Sequence, residues 1–141
     1  IIQQELKQIG IDVQIKEFDR GVQFTKEGQK GEPFDIADEG WIADYYDAYD
    51  FINILLSGDS LHDANNNNVA YYNSPKFNKA MTAASNLSGS ARYAAYQALD
   101  KNITTQDPAW AARSNFNDRI FVSSRTGGFL FHETGLVESI A

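Results

Sequence analysis

At Gly10 the hydrophobic period of the chain changes. Ile2, Leu6 and Ile9 recur at helical spacing and stop at Gly10. Ile11, Val13 and Ile15 then alternate with Asp12, Gln14 and Lys16, which is strand period. Asp19 is placed to cap a short helix through Val22 and Phe24, ending among Gly28, Gly31 and Pro33. Phe34 to Glu39 reads as a second strand. Strand, helix, strand over about thirty residues predicts a βαβ unit with a right-handed crossover. The fold class expected is therefore α/β, with Ile11–Phe18 and Phe34–Glu39 as parallel neighbours.

Beyond this unit the pattern turns helical. An aromatic and acidic segment, Gly40 to Phe51, leads into a short helix expected over Tyr49–Leu56. Ser57 to Asn68 contains four consecutive asparagines and reads as an exposed, mobile loop. Ser74-Pro75 opens a helix with Phe77, Met81 and Ala84 on one face. Ser88 to Ser90 turn into a second helix with a buried stripe of Tyr93, Tyr96, Leu99 and Ile103, ended by Asp107-Pro108. Ala109–Ala112 and Ile120–Ser123 read as strands, and Gly127-Gly128 as a turn. The tail beyond has no clear period.

Composition narrows the function classes. With 141 residues and 43% hydrophobic content, the chain has one domain's worth of core and is not wholly disordered. Its net charge of −7 disfavours electrostatic binding to nucleic acid. No apolar run approaches the roughly 18 residues a membrane helix needs. Without cysteine there is no disulfide, thiolate metal site or thiol nucleophile. The chain opens at Ile1 inside a helical pattern, so a fragment of a longer protein is expected.

Single residues offer three kinds of chemistry. Trp41 and Asp44, with Tyr45 and Tyr46, lie just past the second predicted strand, where open α/β sheets bind ligands. A carboxylate among aromatic faces suits a cationic group, although a core Trp and a helix-capping Asp would leave the same trace. Asp44, Asp47 and Asp50 form an acidic ladder that reads either as calcium ligands or as acids at a helix start. Asp63, Asn65 and Asn67 begin a calcium-loop pattern that fails at Asn68, where glycine is needed. For catalysis, His62 and His132 are the only histidines, and no nucleophile or metalloprotease motif surrounds them. Nineteen acids leave a paired-carboxylate hydrolase open. A raised carboxyl pKa at a close acid pair would favour that enzyme.

The segments Gly10-Ile11-Asp12-Val13, Phe34-Asp35-Ile36, Gly40-Trp41-Ile42-Ala43-Asp44-Tyr45 and Tyr72-Asn73-Ser74-Pro75-Lys76-Phe77-Asn78, followed by Arg92-Tyr93 and Tyr96, stand in a telling order. Together they resemble the C-terminal part of the extracellular solute-binding proteins of family 5, from Gln4 to about Gly128. These are peptide, dipeptide and nickel receptors of ABC importers. The resemblance implies part of the second lobe of a two-lobed periplasmic-binding-protein-like fold. Residues 1–119 would supply that lobe, and residues 120–141 a tail returning to the first lobe. It implies that Asp44 pairs with a ligand ammonium and that Trp41, Tyr45 and Tyr46 line the pocket. Asp47-Ala48 stands where many members have Asp-Pro, and Asp38 and Glu39 make the rim acidic.

The reading that follows is a non-enzymatic receptor fragment for a small solute, foremost an oligopeptide or dipeptide, with sugar or metal chelate as alternatives. It needs no cofactor and no metal. Its partners would be the ligand and the permease subunits of the importer, at the periplasmic or extracellular face of a membrane, with a lipid anchor in the full-length protein as an option. The rivals are a glycosidase-like hydrolase and a free-standing interaction domain. The isolated chain is expected to bind peptide weakly and to self-associate through the Trp41 face or an exchanged tail.

Overall fold

The computed structural model describes residues 1–115, 119–131 and 137–139. Five helices form in chain order: α1 (Ile2–Gln8), α2 (Arg20–Glu27), α3 (Tyr49–Leu56), α4 (Pro75–Ser85) and α5 (Gly89–Gln106). A 3-10 turn, Gly58–Ser60, follows α3. Two short strands, β1 (Phe129–Phe131) and β2 (Val137–Ser139), pair antiparallel, with Leu130 opposite Glu138.

The core belongs to α3, α4 and α5. Ile52, Leu55 and Leu56 of α3 pack with Phe77, Met81 and Ala84 of α4 and Tyr96, Leu99 and Ile103 of α5. Phe77, Met81 and Ala84 are spaced four and three residues apart, so they line one stripe of α4. Helices α4 and α5 form an antiparallel hairpin across Asn86–Ser88. At one end Lys76 Nζ donates to Gln106 Oε1 at 2.8 Å, and at the other Arg92 Nη1 donates to the carbonyls of Ala84 and Ser85 at 3.2 and 2.9 Å. The guanidinium therefore satisfies carbonyls that the end of α4 leaves without helical partners. Buried Tyr96 donates its hydroxyl to Asn53 Oδ1 at 2.8 Å and ties α5 to α3.

Tyr93 does not join the predicted stripe; it is 71% exposed. Arg92, Tyr96, Leu99 and Ile103 share one face, and Tyr93 lies about 90° from its centre at 3.6 residues per turn. Asp19, Ser74 and Ser88 do occupy N-cap positions, but none makes a side-chain cap bond.

The predicted βαβ unit is not formed. Neither Ile11–Phe18 nor Phe34–Glu39 is a strand, and no backbone hydrogen bond joins them. The intervening α2 is present, but Ile15 and Ile36 are 60% and 61% exposed. Parallel strands are stable where both sheet faces are covered, and nothing among the described residues covers these faces. Ala109–Ala112 and Ile120–Ser123 likewise form no strand. The described architecture is helix-rich. In the tail Gly128 has φ +68° just before β1, in line with the turn expected at Gly127-Gly128.

The asparagine run also departs from expectation. Asn65 and Asn67 are exposed, whereas Asn66 and Asn68 are buried. Asn66 Nδ2 donates to the carbonyls of Gly28 and His62, and its Oδ1 accepts from His62 N–H. Asn68 Nδ2 donates to the carbonyls of Ser57 and Tyr72, and its Oδ1 accepts from Tyr72 N–H. The loop is thus built from the inside by amides replacing backbone partners. Gly28 is held by the same contact: a Cβ there would lie 2.9 Å from the backbone N and O of Asn66. No helix among the described residues is long and apolar enough to cross a membrane.

Candidate functional site

Residues Gly40–Ala48 form no helix or strand, yet they are fixed to the bundle. Trp41 is partly buried and packs against the core. Its indole Nε1–H donates to Asp50 Oδ2 at 3.1 Å, and the backbone N–H of Asp44 donates to the same oxygen at 2.8 Å. Asp50 is 1% exposed and sits in the first turn of α3. Trp41 and Asp44 are thereby brought together on one buried anchor. The Asp44 side chain is exposed, and no cation pairs with it among the described residues.

Tyr45 and Tyr46 are exposed, Tyr46 the more so at 73%. Burial raises the Tyr45 phenol pKa, and the charges of Asp50, Asp47 and Asp44 add to the rise. The segment Trp41–Tyr46 presents an exposed carboxylate, a half-buried indole and two exposed phenol rings, which is chemistry suited to a cation.

The acidic ladder divides into three separate tasks. Asp44 faces solvent, Asp50 collects the two N–H groups, and Asp47 meets Arg92. Arg92 Nε and Nη2 donate to the two oxygens of Asp47 at 2.9 and 2.8 Å, a forked pair. The hydrogen bond from Arg92 holds the Asp47 carboxyl below the usual range despite partial burial. Asp47 Oδ1 also accepts from Tyr49 N–H at 2.8 Å and so opens α3. A set of carboxylates spent this way does not converge on a calcium ion.

A position at the end of a parallel strand pointed to Trp41 and Asp44, and the structure corrects that basis, since neither Ile11–Phe18 nor Phe34–Glu39 forms a strand. Asp50 and Arg92 were not singled out as anchors in the sequence. Their signal was available: Asp50 and Asn53 stand three apart in the otherwise apolar stretch Tyr49–Leu56, and both are buried. A polar residue on a core face demands a partner.

One close acid pair exists elsewhere. Glu27 ends α2, is buried, and accepts from Gln23 Nε2 at 2.9 Å through Oε1. Its Oε2 is buried and accepts from no N–H or O–H group. Glu39 lies within hydrogen-bonding reach of it. Burial, then the hydrogen bond and charge of Glu27, push the Glu39 pKa up to about 7, against the pull of the Gly40 N–H and Arg20. In its protonated form Glu39 can donate to Glu27, which its carboxylate form cannot. Two carboxyls in contact leave no space for a glycosidic bond, whose hydrolysis needs them about 5 Å apart or more. His62 uses its backbone, not its ring, in the Asn66 contact. His132 lies outside the described residues.

The pair sets a pH dependence. A carboxyl raised in the folded state contributes stability fully present below its unfolded value of 4.5 and lost as pH rises through about 7. Glu39→Gln supplies a permanent donor. The variant is expected to match the parent near pH 5 and to exceed it in stability at pH 8, as read by urea unfolding at both pH values. Equal pH profiles for the two proteins would remove the shared proton.

Comparison with known proteins adds an independent line. The family described as bacterial extracellular solute-binding proteins, family 5 Middle, matches residues 1–63, which include Trp41, Asp44 and Asp50. The periplasmic oligopeptide-binding protein OppA of Salmonella typhimurium is 40% identical over 74 residues, covering 49% of this chain and 12% of that protein. The chain therefore spans only a small part of the curated relative's length. No solved structure matches it. The matched segment and the relative agree: over its first half the chain is similar to the bacterial extracellular solute-binding proteins of family 5.

Proposed function

We propose that this chain is part of the substrate-binding protein of an ABC importer and that it contributes the ammonium-recognising side of a peptide site. The observation that carries this reading is the exposed Asp44 carboxylate, unpaired among the described residues, whose backbone shares an anchor with Trp41. Asp44 neutralises the α-ammonium of a peptide. Trp41 offers an apolar wall, and Tyr45 and Tyr46 close over the ligand from the solvent side. The nearby acids Asp38 and Glu39 favour a cation and oppose a ligand carboxylate at this end. Capture between two lobes needs no cofactor, and the loaded receptor meets its permease at the periplasmic or outer face of the membrane. The likeness to an oligopeptide-binding protein supports peptide over sugar or metal chelate.

The test is Asp44→Asn in the complete receptor that contains this chain. Loss of a hydrogen bond to a charged group is worth about 1.5–3 kcal/mol, so trialanine affinity is expected to fall by roughly 10- to 150-fold. Calorimetry gives the value directly. Unchanged affinity for trialanine bound in the same cleft would remove Asp44 from the site.

A further inference from the structure

We infer that Asp50 is the positioning residue of this site: one buried carboxylate oxygen sets the placement of both the apolar wall and the charged group that meet the ligand. The inference rests on the peptide reading given above and deepens it.

Asp50 Oδ2 accepts from a side chain, the Trp41 indole, and from a main chain, the Asp44 N–H. These donors lie three residues apart in a segment with no helix or strand of its own. A segment of that kind gets its conformation from whatever it is fastened to. Here the fastening point is 1% exposed and belongs to α3, whose Ile52, Leu55 and Leu56 are locked into the three-helix core. The rigidity of the bundle is passed to the site through a single atom. Asp47 and Arg92 pin the far end of the segment through the forked pair, so the stretch between the two pins carries Asp44, Tyr45 and Tyr46.

Two converging donors fix more than one does. The indole edge cannot turn away without abandoning Asp50, and the Asp44 backbone cannot shift without doing the same. The Trp41 face and the Asp44 backbone are thus held before a ligand arrives, and the ordering cost on binding is reduced. Asn keeps an acceptor oxygen at this position, whereas Ala leaves both donors without one. The Asn and Ala variants therefore separate positioning from mere occupancy.

The first measurement uses the 141-residue chain carrying Trp110→Phe, which leaves one indole. Exchange of the Trp41 indole proton is followed by NMR, and circular dichroism checks that each variant is helical. Asp50→Ala is expected to speed that exchange about tenfold or more, the scale of one lost hydrogen bond, and Asp50→Asn to restore most of the protection. The second measurement is trialanine affinity in the complete receptor. Asp50→Ala is expected to weaken binding about tenfold, and to add little when Asp44→Asn is already present, because both act on one contact. If Asp50→Ala does not fold, the comparison of Asp50→Asn with Asp50→Ser takes its place, Ser being too short to reach both donors. Fast indole exchange in the Ala or Ser variant, with trialanine affinity indifferent to both Asp44 and Asp50, keeps the positioning role and overturns the peptide reading. A folded Asp50→Ala protein with unchanged indole exchange and unchanged affinity, while Asp44→Asn still weakens binding, overturns the positioning role alone.

Discussion

Met81→Ala is expected to lower the free energy of unfolding by about 2–5 kcal/mol, toward the upper end of that range. Met81 is 0% exposed and lies in the stripe of α4 that meets both α3 and α5. Truncation removes its thioether and methylenes from contact and leaves a cavity between three helices. Helix pairs joined by short connections relax only partly into such a gap. Met81→Leu nearly conserves volume and is expected to cost less than about 1.5 kcal/mol. Urea unfolding followed by circular dichroism reads the helices of the bundle, where most of the helical residues lie. A loss below about 1 kcal/mol for the alanine variant would mean that the bundle does not close around this residue.

The second large effect concerns the asparagine run. Asn68→Leu is expected to destabilise by about 2–4 kcal/mol, because an unsatisfied buried polar group costs about 1–3 kcal/mol and two are exposed to that fate. They are the N–H and the carbonyl of Tyr72, whereas the Ser57 carbonyl keeps the Ser60 N–H and hydroxyl as donors. The penalties share one site and do not add in full. Leucine is close in size, so the loss cannot be assigned to a cavity. The neighbouring Asn67→Leu change is expected to stay within about 0.5 kcal/mol, because Asn67 is exposed. Thermal unfolding of the two variants side by side gives the contrast. Equal effects at the two positions would show that the loop is not built around its even-numbered amides.

The segment Trp41–Tyr46 was legible in a particular way. Trp41, Asp44, Tyr45 and Tyr46 stood out as residue types and by the resemblance of their order to a receptor family. What gathers Trp41 and Asp44 did not stand out. Asp50 reads in the sequence only as one member of an acidic ladder near a helix start, beside Asp44 and Asp47. The structure separates the three, because each meets a different partner: solvent, a guanidinium or two N–H donors. The strength of a carboxylate as anchor, counter-charge or ligand group is a property of those partners. Glu27 and Glu39 make the same point. They are twelve residues apart in the chain, and only the fold of α2 against the following segment brings them close enough for Glu27 to push the Glu39 pKa up.

The sequence alone determined the helices. Tyr49–Leu56, the proline-opened start of α4 and the end of α5 before Asp107-Pro108 follow from spacing and breakers. Helical hydrogen bonds run between residues four apart, so the signal and the structure lie in the same few turns. The tertiary structure alone decided the rest. Ile11–Phe18 and Phe34–Glu39 carry apolar residues suited to strands but remain unpaired, because a strand's hydrogen bonds come from another segment and its faces need cover. The inward turn of Asn66 and Asn68, against the outward turn of Asn65 and Asn67, was equally beyond the sequence. Four identical side chains carry no local difference. Which of them are buried depends on where the backbone of Gly28, Ser57, His62 and Tyr72 offers donors and acceptors.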